Sequence, residues 1–550
     1  MEQASDATMA QGETLLEIRG LRIEGLSDDT WSEIVKGVDL TLRRGEVLGL
    51  IGESGAGKST VGLAAMGFAR DGCRISAGEV LFNGVDLTKS SREQRRRLRG
   101  ARIAYVAQSA AAAFNPAHRL IDQYAEAPVQ HGLMSYGAAT TEAKDLYERL
   151  RLPDPEVIGL RYPHQVSGGQ LQRAMVAMAM ACKPQLIVFD EPTTALDVTT
   201  QVEVLAAIKN VVQQFGTAAI YVTHDLAVVA QMADRIMVMR YGEVVEEKET
   251  RRILTAPEES YTRDLLAVRT LRKDQAAPAA GNEAPLLRLV DVTASYGKMP
   301  VLFDIDLDVH AGRTVAVVGE SGSGKSTAAR VITGLLKPNQ GRTEYAGKAL
   351  PPDYRQRSKD QLRKLQMIYQ MPDTALNPKQ RVRDVIGRPL QFYLGMSGNK
   401  RKERVRELLS LIELEPDRFV DRLPTELSGG QKQRICIARA LAAGPELIIC
   451  DEVTSALDQL VAEGILKLLL RLQKEMGLTY LFITHDLATV KAIADEVVVM
   501  QRGRIVETGP KDEMFTPPHH PYTDLLLSSV PEMDPDWLDH RLAERSDDRP

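Results

Sequence analysis

Four short runs of consecutive apolar residues punctuate the chain, and each stops at residues that an apolar run has no reason to carry. Residues 47–51 (VLGLI) and 315–318 (VAVV) lead directly into glycine-rich segments, whereas 186–189 (LIVF) and 447–450 (LIIC) lead into paired carboxylates. Such runs fit strands of a parallel sheet covered by helices on both faces. Helix-compatible stretches follow both glycine-rich segments, and longer helical patterns follow 166–173 and 427–434. Strand, loop and helix in that order predict an α/β fold.

The glycine-rich segments are GESGAGKST at 52–60 and GESGSGKST at 319–327. Both fit G-x-x-x-x-G-K-[ST], in which backbone N–H groups close around phosphate oxygens, lysine reaches the β/γ-phosphates and the hydroxyl holds Mg²⁺. The first clamp offers Gly52, Glu53, Ser54, Gly55, Gly57, Lys58, Ser59 and Thr60; the second offers Gly319, Glu320, Ser321, Gly322, Gly324, Lys325, Ser326 and Thr327. Everything downstream recurs in register. Lys58 and Lys325 are 267 residues apart, Gln108 and Gln370 are 262 apart, and the pairs Ser167/Ser428, Asp190/Asp451 and His224/His485 are each 261 apart. A period this long is a duplicated enzyme domain, since solenoid repeats are much shorter.

The carboxylate pairs are Asp190-Glu191 and Asp451-Glu452. Adjacent acids at the tip of a buried strand are costly unless used. The first can support Mg²⁺ and the second can orient or deprotonate a water attacking a γ-phosphate. The clusters VSGGQLQR and LSGGQKQR place Ser167, Gly168, Gly169, Gln170 and Ser428, Gly429, Gly430, Gln431 at predicted helix starts, where N–H groups favour anions.

Taken together, the loops, Gln108 and Gln370, the SGGQ clusters, the Asp-Glu pairs, Ala-Leu-Asp at 195–197 and 456–458, and Thr-His-Asp at 223–225 and 484–486 resemble ATP-binding-cassette (ABC) ATPases over nearly the whole chain. The resemblance implies two tandem P-loop (RecA-like) nucleotide-binding domains, each with an antiparallel β subdomain and a helical subdomain carrying the SGGQ signature. It implies ATP and Mg²⁺ as cofactors. ATP at Lys58 would be covered by the signature residues of the second half, and ATP at Lys325 by those of the first. It assigns Glu191 and Glu452 as general bases, His224 and His485 as γ-phosphate contacts, and Ser59, Gln108, Asp190, Ser326, Gln370 and Asp451 to the metal and its water.

The halves are not identical. Tyr296 lies where the family stacks an aromatic on adenine; the matching stretch of the first half has Gly25, so either Trp31 substitutes or adenine is held more loosely. Val166 replaces the usual leucine before SGG, and Val453 stands where the first half has Pro192. Two hydrolytic sites of unequal affinity are expected.

Composition narrows the role. A net charge of −5 with 26% charged residues gives no overall footprint for nucleic acid or anionic membrane. The basic stretch 92–102, echoed at 354–364, reads as a solvated helix face or a docking surface, without aromatics to stack bases. Cys73, Cys182, Cys436 and Cys450 show no C-x-x-C spacing and read as buried free thiols. No apolar stretch reaches the roughly 18 residues of a membrane span, and the acidic amino terminus lacks a signal-peptide pattern. The expected domains are 1–268 and 286–530, joined by an Ala/Pro-rich linker at 269–285 and followed by a charged, disordered tail at 531–550.

Segments ending in Asn115-Pro116 and Asn377-Pro378, and Tyr-Thr-x-x-Leu-Leu at 261–266 and 522–527, are similar to the oligopeptide, dipeptide and nickel importer branch. This implies a peripheral subunit at the cytoplasmic side of the inner membrane, working with two permeases and an extracytoplasmic binding protein and not with nucleic acid. The permeases would insert near Gln108 and Gln370, making 109–113 and 371–375 candidate contacts. The competing class, tandem cassettes acting on ribosomes or nucleic acid, needs a long basic inter-domain segment, zinc fingers or an amino-terminal cysteine cluster, none of which is present. A nickel role for His519-His520 is weaker, since adjacent surface histidines before proline are usually unliganded.

Overall fold

The computed structural model describes residues 12–27, 29–193, 196–267, 284–455 and 457–547. The chain divides into two compact units, one comprising Met1–Ala267 with Pro531–Pro550 and the other Val268–Val530. Most of the expected linker lies outside the described residues, as do Ala195 and Ala456 of the Ala-Leu-Asp triplets.

In the first unit a six-stranded sheet has the order Glu243–Glu249, Arg235–Arg240, Val47–Ile51, Ala218–Val222, Leu186–Asp190, Ile103–Val106, parallel except for its first strand. Three of the central strands are buried at every position, as a sheet covered on both faces requires. A second, antiparallel sheet orders Thr30–Arg43, Thr14–Ser27, Cys73–Phe82 and Val85–Asp86. Its apolar face, including Leu16, Ile18 and Val35, shares one core with Val61 and Leu63 of the helix Lys58–Ala64. Helices Leu120–Gln130 and Tyr136–Arg149 pack with the signature helix Gly168–Met180 to form the helical part.

The second unit repeats this plan. Its main sheet orders Leu365–Ile368, Leu447–Asp451, Thr479–Ile483, Thr314–Val318, Glu496–Gln501, Arg504–Pro510, and the antiparallel sheet orders Met299–Val309, Leu287–Tyr296, Gln340–Tyr345, Lys348–Ala349. Every strand of each main sheet except one edge strand is parallel, so five carboxyl ends line up side by side. Ligands in open α/β sheets bind at that edge.

Two expectations need correction. The tail expected to be disordered carries the helix Trp537–Asp547 and belongs to the first unit. Its charge hid two apolar anchors: Leu538 is fully buried and Trp537 nearly so. Gln231 holds the segment through its amide, donating to the carbonyls of Glu532 and Asp534 and accepting the Leu538 N–H, while Arg251 grips both oxygens of Asp536. Of the four cysteines, all free, Cys436 and Cys450 are buried, but Cys73 and Cys182 are only partly covered.

Candidate functional site

In each unit the chemistry-bearing residues follow directly on neighbouring parallel strands. Val47–Ile51 ends at the glycine-rich loop, Ala218–Val222 at His224, Leu186–Asp190 at Glu191 and Ile103–Val106 at Gln108, in that order across the sheet. The second unit places its loop, His485, Glu452 and Gln370 the same way.

The loop is shaped by backbone that only glycine adopts easily. Gly52 and Gly319 have φ of 145° and 148°, and a Cβ on either would lie 2.1 Å from the carbonyl oxygen of Met239 or Met500. Lys58 Nζ, almost fully buried, donates to the carbonyls of Gly52 (2.7 Å) and Glu53 (2.9 Å); Lys325 Nζ does so to Gly319 (2.8 Å) and Glu320 (2.7 Å). A buried ammonium within a ring of backbone amides at the start of a helix suits a phosphate. Ser59 Oγ donates to Asp190 Oδ1 at 2.6 Å and Ser326 Oγ to Asp451 Oδ1 at 2.9 Å. Hydroxyl and carboxylate oxygens beside a phosphate site are the hard donors Mg²⁺ takes. Burial pushes the Asp451 carboxyl above its ordinary value, with Ser326 opposing.

Glu191 and Glu452 both sit at φ 49°, a left-handed conformation costing a side-chain-bearing residue about 1–2 kcal/mol. The strain is held by the strand next door, since their N–H groups donate to Val222 and Ile483 carbonyls at 2.9 Å. Both carboxylate oxygens are engaged. Gln108 Nε2 donates to Glu191 Oε2 at 2.9 Å and His224 Nδ1 lies 3.0 Å from Oε1; for Glu452 the partners are Gln370 at 2.6 Å and His485 at 3.3 Å. Burial alone would lower each imidazole pKa, but the neighbouring glutamate outweighs it and raises both. Burial would likewise raise Glu452, yet the His485 bond and charge bring it below its ordinary value. In the second unit an ionised Glu452 thus faces a histidine favoured in its charged form, and in the first His224 is favoured in its charged form beside Glu191.

Ser167 and Gln170 cap the helix Gly168–Met180 reciprocally, each side chain accepting the other's backbone N–H, and Ser428 with Gln431 repeats the box on Gly429–Leu441. Here glycine is required by crowding: a Cβ on Gly169 or Gly430 would meet Thr200 Cγ2 at 2.2 Å or Val461 Cγ1 at 2.4 Å. Asp197 and Asp458 cap the helices that crowd them.

The aromatic expected to hold adenine behaves differently in the two units. Tyr296 is 42% exposed and its hydroxyl accepts a bond from Arg330, on the helix that begins at Lys325. At the matching Gly25 a Cβ would lie 2.6 Å from Ile34 Cδ1, and Trp31 lies under the Arg74 guanidinium, 4.1 Å from its ring centre. Trp31 thus pairs with the antiparallel sheet and is not tied to the loop helix as Tyr296 is. The expectation of two surface histidines is corrected at His519, whose side chain is buried; His520 is exposed and accepts the Tyr522 N–H through Nδ1 as a helix cap.

Sequence reasoning missed Tyr105, whose hydroxyl donates to Asp190 Oδ2 at 2.7 Å, and Arg70, 3.6 Å from the same oxygen. A tyrosine three residues before Gln108, where the second half has Met367, was the available signal.

A model described as "ABC transporter" matches residues 35–194 and 302–455, and one described as "Oligopeptide/dipeptide transporter, C-terminal region" matches 506–549. The chain is 38% identical to the glutathione import ATP-binding protein GsiA of Salmonella choleraesuis (strain SC-B67), over 98% of this chain and 92% of that protein. The namesake in Escherichia coli O157:H7 is 37% identical with the same coverage. Among solved structures, cbiO1 from Clostridium perfringens aligns at TM-score 0.38 and 30% identity, covering 42% of this chain and 91% of that one.

Proposed function

The chain belongs to the ABC transporter family as an ATP hydrolase of the import branch with both ATP-binding domains in one polypeptide, and from that premise we propose that its cargo is a small peptide or peptide-like solute such as glutathione. Its partners are membrane permeases. Two of them, with an extracytoplasmic substrate-binding protein, complete the proposed machine at the cytoplasmic face of the inner membrane. Among the described residues no helix is long and apolar enough to cross a membrane, and in the proposed assembly the permeases supply the passage. The cargo proposal rests on the family of the carboxy-terminal region and the relatives' names.

The observation that carries the hydrolytic reading is the engagement of both oxygens of each glutamate by a glutamine and a histidine at one sheet edge. In the proposed mechanism Lys58 and Lys325 hold the β/γ-phosphates, and Ser59 with Asp190, or Ser326 with Asp451, would hold Mg²⁺. When bound there, Mg²⁺ would supply positive charge against the charge developing on the phosphate oxygens. Gln108 and Gln370 keep the glutamate aimed; Glu191 and Glu452 accept the proton of the attacking water as it adds to the γ-phosphate. His224 and His485, favoured as imidazolium, donate to the γ-phosphate as it arrives and release one glutamate oxygen for the water. The signature residues Ser167–Gln170 and Ser428–Gln431, at helix starts, are proposed to contact nucleotide.

Substituting both glutamates (Glu191→Gln, Glu452→Gln) should leave ATP bound while phosphate release falls by a factor of about 10²–10⁴. Undiminished phosphate release from the purified double variant would refute the assignment.

A further inference from the structure

The Tyr-Thr-x-x-Leu-Leu segments mark a branch in the sequence but have no part in the chemistry above. In the structure both tyrosines reach the nucleotide loops. Tyr261 stands in the helix Ser260–Ala267 and Tyr522 in Pro521–Leu527, and both are buried. The Tyr261 hydroxyl accepts the backbone N–H of Glu53 at 3.2 Å, and the Tyr522 hydroxyl accepts that of Glu320 at 2.9 Å.

That N–H belongs to the same peptide group whose carbonyl, on Gly52 or Gly319, accepts the lysine ammonium at 2.7 or 2.8 Å. The peptide group at the mouth of each loop is therefore held at its oxygen by the phosphate-binding lysine and at its nitrogen by the tyrosine. The helix behind each tyrosine is itself tied down. Glu246 accepts the N–H groups of Glu258 and Glu259 just before the first helix, and Glu507 accepts that of His520 at the start of the second. In the first unit the Arg240 guanidinium covers the Tyr261 ring at 4.4 Å and approaches Glu53 Oε1 at 3.9 Å. The arrangement arises twice, from elements 261 residues apart in sequence.

We propose that Tyr261 and Tyr522 are positioning residues for ATP binding, fixing the first peptide group of each loop so that the lysine can turn from the loop carbonyls to the phosphates without the loop collapsing. When the ammonium leaves the Gly52 or Gly319 carbonyl, the tyrosine still anchors that peptide group at its nitrogen. The inference rests on the proposal that these loops hold ATP.

The test uses the full chain carrying Glu191→Gln and Glu452→Gln to prevent turnover, with and without Tyr261→Phe and Tyr522→Phe. Phenylalanine keeps the packed ring and removes the accepting hydroxyl. Without nucleotide, amide exchange in peptides spanning residues 52–54 and 319–321 should speed about tenfold, while exchange in the distant helices Val198–Phe215 and Gln459–Met476 stays as it was. Affinity for ATP with Mg²⁺ should fall about three- to tenfold, the scale of one hydrogen bond. Unchanged loop exchange, unchanged ATP affinity, or faster exchange throughout both units would each overturn the positioning role. Failure of the parent chain to bind ATP would instead sink the nucleotide reading itself.

Discussion

The two units share a catalytic edge of the same construction and differ in what surrounds it. Loop, lysine, glutamate, glutamine and histidine superimpose in role and nearly in distance. The carboxylates beside the serines do not: Asp190 receives Ser59, Tyr105 and the Arg70 charge, while Asp451 receives Ser326 and has Met367 where the first unit has Tyr105. The adenine side differs in the opposite sense, with Tyr296 tied to the loop helix in the second unit and Gly25 backed by Ile34 in the first. Duplication has kept the residues proposed to act on the γ-phosphate and let those around the proposed metal ligand and adenine site diverge. One unit has the better braced carboxylate and the other the better placed ring.

The largest expected difference is in stability and concerns the carboxy-terminal segment assigned to the first unit. Leu538→Ala empties a fully buried site and should cost about 2–5 kcal/mol, the range for such truncations. Hydrogen exchange should show the loss in the helices that face the segment, including Leu226–Met232, which carries Gln231 and follows His224. A loss confined to the second unit would contradict the assignment.

That segment also shows where the sequence stops being legible. Two strands of each main sheet, 47–51 and 186–189 with 315–318 and 447–450, could be read because apolar runs and the residues at their ends are local patterns present in both halves. The tail could not, because its meaning depends on Gln231 and Arg251, some 300 residues earlier in sequence, and its composition alone argues for solvation. Tyr105 was hidden for a related reason: a tyrosine inside a strand reads as core, and only the neighbouring strand ending at Asp190 gives its hydroxyl a partner. The Tyr-Thr segments were visible as a family mark and silent as chemistry, since nothing in the sequence brings residue 261 to residue 53.

The adenine side can be separated next. Tyr296→Ala should weaken ATP binding at the second site by roughly 1–3 kcal/mol, the value of one aromatic stacked on a base. Trp31→Ala should leave the first site's affinity unchanged, because its indole is committed to Arg74. Nucleotide titrations of chains in which Lys58→Ala or Lys325→Ala silences one site would read each effect alone. A Trp31 effect as large as that of Tyr296 would restore the tryptophan as the adenine platform.

The smallest expected effect tests the carboxylate. Tyr105 donates to the Asp190 oxygen that Ser59 does not use, so the carboxylate is aimed before any metal arrives. Partners behind a metal ligand typically change affinity by about 10–100-fold when removed. The lower end applies here, since Ser59 and Arg70 remain and Arg70, largely exposed, is screened. Tyr105→Phe should therefore raise the divalent-ion concentration needed to half-fill the first site about tenfold. The probe is Mn²⁺ followed by electron paramagnetic resonance in the ATP-loaded chain with Glu191→Gln and Glu452→Gln. Met367→Phe in the second unit removes no hydroxyl and should shift nothing. Equal shifts from both substitutions would mean that strand packing, and not the hydroxyl, governs the carboxylate, and the two metal sites would then differ in sequence without differing in function.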